Sequence, residues 1–447
     1  MRETAVTEPD AESDELAARP VTILTGSLGA GKTTTLNHLL ANSDHDIAVL
    51  VNDMGSLNVD AELVDVETTL EGGESRMAEL SNGCICCGLQ GELRNELFQL
   101  AESYDFDHLV IEASGISEPK PIASQIAGGG AVGDRYDLAS IVSVVDTPRF
   151  AATFGETAER AGVDSEGRKP LADLAIEQVE FCSTIIANKQ DLVDNETADR
   201  VERLLGSLQP EATIHRATGG AVDSRVLLER TFDAETVNTS AAWKQVLDAN
   251  DSDPEHDRAH EDNDHVHGHD GDNHDNTDHN HDHTDHDHDH VHPPELYGVD
   301  SVTYRRRRPF HPERFDAWLD SVPEGVIRAK GIVWVAGRDS QALTMSVVGQ
   351  RSTVEVTGQW IASLPESVRE KYRRAKPDMT WDDEHGDREI RLALLGSDLD
   401  DSLTESLDDC LVTDAEWAEG CETVDNPFPQ IEREQYERGP EAPTAYR

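Results

Sequence analysis

Three of the six cysteines in this 447-residue chain fall within four consecutive positions: Cys84, Cys86 and Cys87, in the stretch SNGCICCG. Thiols spaced C-x-C-C pair with one another only under strain, because a disulfide between near neighbours departs from the usual geometry. They do present three soft thiolates from one short loop, which suits Zn²⁺ or a similar thiophilic ion. Three protein ligands leave one tetrahedral position for water, for a carboxylate such as Asp53, or for a ligand from another protein. An open site of this kind suits handing a metal on, whereas a closed four-ligand site suits structure. Of the other cysteines, Cys182 and Cys410 sit in apolar patterns that read as core, and Cys421 has no clear reading.

A second chemistry is carried by GSLGAGKTT, Gly26 to Thr34, which matches G-x-x-x-x-G-K-[ST]. Gly26, Ser27, Gly29, Ala30 and Gly31 would let backbone N–H groups curl around a phosphate, helped by the positive end of the following helix. Lys32 would reach the β- and γ-phosphates and Thr33 would ligate Mg²⁺, with Thr34 closing the loop. The tetrapeptide NKQD supplies Asn188, Lys189 and Asp191. Such a loop reads guanine because the aspartate carboxylate accepts from N1–H and the exocyclic amine, donors that adenine does not present there. VIEASG places Glu112 at a strand end, suited to the Mg²⁺ shell or its water, with the Gly115 N–H within reach of the γ-phosphate. RATGG, Arg216 to Gly220, falls where a second base-contacting loop belongs, and Thr218 is its candidate. Each stretch also has a bland reading as a polar or glycine turn; their order along one chain favours the chemistry.

These residues need elements to hold them. VTILTG (Val21 to Gly26), IAVLVND (Ile47 to Asp53), HLVIEA (His108 to Ala113), IVSVVD (Ile141 to Asp146) and TIIANK (Thr184 to Lys189) read as buried strands, with helical patterns between them. Apolar strands alternating with helices predict an α/β fold, the doubly wound parallel sheet of a P-loop NTPase, over residues 19–235. An acidic tail over 1–18 precedes it. Residues 236–296 read as a disordered linker rich in His and Asp, 297–425 as a second, smaller C-terminal α/β domain, and 426–447 as a tail.

Composition narrows the setting. Against 38 Lys+Arg stand 90 Asp+Glu, a formal net charge of −52. Such a surface reads as one solvated in concentrated salt, as in halophiles, and argues against nucleic-acid binding. The acidic N-terminus lacks the apolar core of a signal peptide, and no run is long enough to span a membrane. A cytoplasmic location follows as the expectation. The run Arg305 to Arg308 reads as solvated or paired internally with carboxylates.

Taken together, GSLGAGKTT, VNDMGSLNVDAELV, SNGCICCGL, VIEASGISEP and NKQDL resemble the CobW-like GTPases and metallochaperones. RPFHPERF, RAKGIVWVAGR and NPFP in the second half agree, and the N-D-M form with SNGCICC is most similar to the YciC-type branch associated with zinc limitation. The resemblance implies a P-loop G domain joined to a small C-terminal domain, with GTP binding and slow hydrolysis coupled to delivery of a divalent metal. On that basis Cys84, Cys86 and Cys87 carry over as metal ligands, and Asp53 aligns with an acidic residue near metal and nucleotide. Ser56 stands where many members have a second Glu, a departure from the pattern.

Thirteen of the nineteen histidines lie between His256 and His292. His281, His283, His286, His288, His290 and His292, interleaved with carboxylates, offer weak exchangeable sites whose capture of metal weakens as the imidazoles protonate. The expected function is a GTP-hydrolysing zinc chaperone using GTP, Mg²⁺ and Zn²⁺ and serving a metal-dependent client enzyme; a homodimer is compatible with it. The alternatives are insertion of cobalt, as in cobalamin synthesis, or of nickel or iron, and a nucleotide-gated metal buffer or sensor. No glutamine or arginine stands out as the group that positions the attacking water.

Overall fold

The computed structural model describes residues 18–51, 76–79, 90–128, 130–154, 171–233, 241–251, 299–323, 325–349, 351–376, 379–419, 426–431 and 434–438. They fall into two units, Met1–Ala241 and Ala242–Arg447. The first is built on β1 (Arg19–Thr25), β2 (Ile47–Val51), β3 (Arg76–Glu79), β4 (His108–Glu112), β5 (Tyr136–Asp146), β6 (Thr184–Asn188) and β7 (Thr213–Arg216). These form one sheet in the order β3-β2-β4-β1-β5-β6-β7, with every pairing parallel. Helices α1 (Lys32–Asn42), α2 (Gln90–Ser103), α3 (Pro119–Ala127), α4 (Gly130–Gly133), α5 (Thr147–Phe154), α6 (Leu171–Glu180) and α7 (Asn195–Leu208) lie between the strands, and α8 (Arg225–Leu228) follows β7.

Strand order follows apolar content. β2, β4 and β6 are buried at every residue and β1 from Val21 onward, as a strand covered on both faces must be. Leu36 and Leu39 of α1 pack with Leu24, Val49, Val110, Val142, Ile186 and, from α8, Leu227. The outer strands β3 and β7 are four residues each, RMAE and TIHR. No apolar run announces them, because an edge strand needs only partial cover; β7 has no fully buried residue. β1 lies between β4 and β5, so the chain turns outward in opposite directions from it, and the strands' carboxyl ends share one edge of the sheet.

One buried histidine makes this unit sensitive to acid. His108, 4% exposed, shares a 2.9 Å hydrogen bond between its Nε2 and Thr22 Oγ1, whose hydroxyl donates to Leu227 O at 2.5 Å. Because the hydroxyl's proton is committed to Leu227, Nε2 must carry the imidazole hydrogen. Burial, reinforced by His45, lowers the pKa of His108 from 6.5 to about 4. Between those values the unfolded chain binds a proton that the folded chain refuses, so stability falls as pH drops below 6.5 and continues falling to about 4. Going from pH 7 to 5 should cost about 2 kcal/mol from this group. Urea unfolding of the wild type and of His108→Gln at both pH values checks it: the pH dependence should shrink by that amount in the variant.

The second unit carries a six-stranded sheet of β8 (Asp300–Arg306), β9 (Val326–Val333), β10 (Gln341–Val348), β11 (Arg351–Gln359), β12 (Ile390–Gly396) and β13 (Gln435–Arg438), in the order β13-β11-β10-β9-β12-β8. Its ladders are antiparallel. The unit is thus the expected smaller assembly of strands and helices, but its strands pair antiparallel rather than through parallel crossovers. Phe310, Phe315, Trp318, Trp334, Leu392 and Phe428 are among its core residues.

Two expected boundaries move. Residues 242–251, read as linker, form a helix whose Ala242, Val246 and Leu247 pack against Val299, Ala393 and Leu395. The apolar spacing of a single short helix was hidden beside a long acidic tract. Residues 426–447, read as a tail, include Phe428, which is fully buried, and β13, which extends the sheet beside β11. Arg338 holds that segment, donating to Phe428 O and Asn426 O. The four successive arginines each pair with a carboxylate of the same unit: Arg305 with Glu389, Arg306 with Asp408, Arg307 with Asp382 and, at the surface, Arg308 with Asp414. Among the described residues no helix is long and apolar enough to cross a membrane.

Candidate functional site

The carboxyl edge of the parallel sheet gathers the loops that matter. After β1, the chain turns through Gly26–Gly31 into α1. Lys32, only 7% exposed, folds back so that Nζ donates to Gly26 O at 2.9 Å and Ser27 O at 3.4 Å. Gly31 has φ +105°, and a Cβ there would stand 2.4 Å from Asn188 Nδ2, so only glycine closes the loop against its neighbour. The N–H groups of Gly29 and Gly31 meet no acceptor among the described residues. Unpartnered amides at the start of a helix, with an ammonium folded over the same loop, form a cradle for a phosphate.

On one side of this loop, Thr33 Oγ1 donates to Glu112 Oε1 at 2.7 Å. Glu112 ends β4, 4% exposed, and β4 pairs directly with β1. A hydroxyl and a carboxylate joined in this way offer hard oxygen donors, the set that Mg²⁺ takes, so the residues present fit that ion. Gly115 follows closely: a Cβ at this position would lie 2.6 Å from Leu28 N, so the β4–α3 loop rests directly on the phosphate loop.

On the other side lies the end of β6. Asn188, 2% exposed, donates from Nδ2 to Ala30 O at 2.9 Å and accepts at Oδ1 from Gly220 N at 3.0 Å. One amide therefore ties together the phosphate loop, its own loop and the Ala217–Gly220 turn. Gln190 N donates to Ala217 O at 3.1 Å, a second link between the last two. Lys189 adopts the left-handed conformation (φ 62°, ψ 37°), and its Nζ pairs with Asp146 at 2.6 Å. Asp191 and Thr218 are both exposed beside this junction.

Gly26 through Thr34, Glu112, Gly115, Asn188, Lys189, Asp191 and Thr218 thus come together at one edge. Sequence reading missed Asp146, Gln190 and Arg149. The available signal for Asp146 was VVD ending β5, the strand beside the one that ends in Asn188; the register pairs Asp146 with Asn188.

Cys84, Cys86, Cys87, Asp53 and the linker histidines His281, His283, His286, His288, His290 and His292 lie outside the described residues. Among the described residues no group of three or more His, Cys, Asp or Glu is arranged to hold a metal. Cys182 and Cys410 are core residues. Burial pushes both thiols up, Cys410 to about 11, and each donates to backbone carbonyls. Neither is a thiolate at neutral pH.

Two family descriptions match the chain: the CobW/HypB/UreG nucleotide-binding domain over residues 20–216, and the C-terminal domain of the cobalamin synthesis protein cobW over 299–411. Zinc-regulated GTPase metalloprotein activator 1 of Dictyostelium discoideum is 32% identical over 424 residues, covering 89% of this chain and 80% of the relative. The zinc chaperone CobW of Pseudomonas aeruginosa is 36% identical over 235 residues, 49% of this chain and 62% of that protein. Among solved structures, the Zn(II)-bound YjiA GTPase of E. coli covers 88% of this chain and 99% of its own, at 17% identity and a TM-score of 0.36. On its sequence matches over both units, the chain belongs to the CobW/HypB/UreG family, with a nucleotide-binding domain followed by a CobW-type C-terminal domain.

Proposed function

We propose that this protein is a GTP-hydrolysing metallochaperone that binds zinc through Cys84, Cys86 and Cys87 and passes it to client proteins. The observation that carries the reading is the strand register: Val51 at the end of β2 sits between Glu112 of β4 and Glu79 of β3. Asp53 follows β2 by two residues and Cys84 follows β3 by five. The described end of β3, at Glu79, thus lies at the same sheet edge as Glu112, two strands or ~10 Å to the side, and the thiols follow it closely in sequence.

In this mechanism the amides of Gly29 and Gly31 and the Lys32 ammonium hold the β- and γ-phosphates of the substrate, and Gly115 approaches the γ-phosphate beside Leu28. Asn188 and Lys189 frame the base, and Asp191 selects guanine. Thr33 and Glu112 would hold Mg²⁺, which when bound would supply positive charge to offset that of the phosphates, while the cradle amides and Lys32 orient the γ-phosphoryl group for attack by water. Turnover is slow in this reading, because no glutamine or arginine in the sequence stands out as the group that positions that water. Hydrolysis changes the contacts available to the segments following β2 and β3, and with them the retention of metal by the thiolates. Zinc is favoured over cobalt, nickel or iron by the names of the relatives, two of which are a zinc-regulated activator and a zinc chaperone. The His/Asp-rich tract supplies weaker sites that keep metal nearby.

The test is zinc affinity, measured by competition with a chromophoric chelator in the presence of a non-hydrolysable GTP analogue or of GDP. A difference of about tenfold or more is expected, the size of an ordinary coupling energy. The Cys84→Ser/Cys86→Ser/Cys87→Ser variant should lose the high-affinity site in both states. Equal zinc affinity with the two nucleotides would remove the gate.

A further inference from the structure

We infer that Arg149 is a positioning residue for hydrolysis, acting on the phosphate loop through the Leu28–Gly29 peptide; the inference rests on the GTPase reading above. Arg149 stands in the first turn of α5, directly after β5. Its Nη1 donates to Leu28 O at 3.3 Å, across 121 residues of sequence, and its backbone N donates to Asp146 Oδ1 at 3.0 Å. The other oxygen of Asp146 takes Lys189 Nζ at 2.6 Å. A turn of four residues is thereby fastened to the loop that reads the base and to the loop that cradles phosphate.

Arg149 is exposed, and its guanidinium turns to Leu28 O rather than to a described carboxylate. In a chain with 90 carboxylates and 38 Lys and Arg, Arg149 pairs with no carboxylate among the described residues, whereas each of Arg305 to Arg308 does. It is spent instead on a loop carbonyl, an acceptor that any neutral donor could have served. The peptide between Leu28 and Gly29 is trans, so the Gly29 N–H points to the side opposite Leu28 O. That N–H meets no acceptor among the described residues, and the Leu28 N–H on the preceding peptide lies against Gly115. A guanidinium at the carbonyl end both fixes the orientation of this peptide and polarises it, making the Gly29 N–H a stronger donor.

The step served is attack of water on the γ-phosphorus. A bond forms from the water oxygen to phosphorus while the bond from phosphorus to the β–γ bridging oxygen breaks. The electron pair leaves with GDP and the water's protons pass to the phosphate products. Negative charge grows on the leaving oxygen only as that bond breaks. The proposal sets the Gly29 N–H on that leaving oxygen, so a donor sharpened by Arg149 favours the transition state over bound GTP, which appears in kcat rather than in KM.

Arg149→Ala, Arg149→Gln and Arg149→Lys in the full chain test this, with steady-state GTP hydrolysis, GDP affinity by fluorescent nucleotide displacement, and melting temperature measured for each. Arg149→Ala should lower kcat about tenfold, the effect of losing one charge-assisted contact, with KM and GDP affinity within about twofold. Arg149→Lys should recover most of that rate, and Arg149→Gln, which can donate but has no charge, little of it. An unchanged kcat in Arg149→Ala, or equal rescue by Gln and Lys, overturns the inference. So does a fall in kcat matched by losses of GDP affinity and melting temperature, which marks a purely structural role. Absence of GTP turnover in the wild type would instead remove the GTPase reading, and this inference with it.

Discussion

Asp191→Asn should lower affinity for GTP about a hundredfold and raise affinity for xanthosine triphosphate, reversing the preference between the two. The carboxylate of Asp191 can accept from both N1–H and the exocyclic amine of guanine, two charge-assisted contacts whose joint loss is worth about two orders of magnitude. Asparagine keeps one acceptor and turns the other oxygen into a donor, which repels the guanine amine and suits the 2-carbonyl of xanthine. The substitution touches no core residue: Asp191 is exposed, and the loop is already fixed by Asn188, by the Gln190 N–H on Ala217 O and by the pairing of Lys189 with Asp146. Melting temperature should therefore stay within about 2 °C, as for surface changes away from special features. Fluorescent nucleotide titration with both triphosphates decides it, and equal GTP affinity in the variant would show that Asp191 does not read the base.

Asn188→Ala should have the opposite profile, with a large effect on stability as well as on binding. Its amide is buried and satisfies Ala30 O and Gly220 N. Truncation leaves an acceptor and a donor without partners in the interior, a cost of about 3 kcal/mol for the first unit. Since Ala30 belongs to the phosphate loop, the same change loosens the phosphate cradle, so GTP and GDP affinities should fall together. Asn188→Asp separates the two links. It keeps an oxygen for Gly220 N but loses the donor to Ala30 O and sets a negative charge against that carbonyl. Thermal unfolding together with nucleotide titration of the pair checks the account: if Asn188→Asp binds GTP as the wild type does, the Ala30 link is not what holds the phosphate loop in place.

The two substitutions describe different parts of one design. The side proposed to meet the base is tied down by short hydrogen bonds among β5, β6 and the turn after β7. The side proposed to meet the γ-phosphate is closed, among the described residues, by contacts of glycine backbone, Gly115 against Leu28, and by the Thr33–Glu112 pair. Specificity needs a fixed frame, whereas a response to hydrolysis needs contacts that a phosphate can complete and its departure can undo.

Contiguous features were determined by the sequence alone. GSLGAGKTT, NKQD and VIEASG each contain their own chemistry, and apolar runs such as TIIAN are satisfied as buried strands, so the parallel sheet and the loops at its edge are legible in the sequence itself. Tertiary structure alone decided the partnerships: Asn188 with Ala30 across 158 residues, Thr33 with Glu112 across 79, Arg149 with Leu28 across 121. It also decided the edge strands β3 and β7, the helix at 242–251 and the docking of Phe428, none of which carries a local pattern stronger than its surroundings. The physical reason is range. Burial of a strand or curling of a glycine loop depends on residues adjacent in the chain, whereas a hydrogen bond between distant side chains exists only once register and packing have brought the two atoms within about 3 Å.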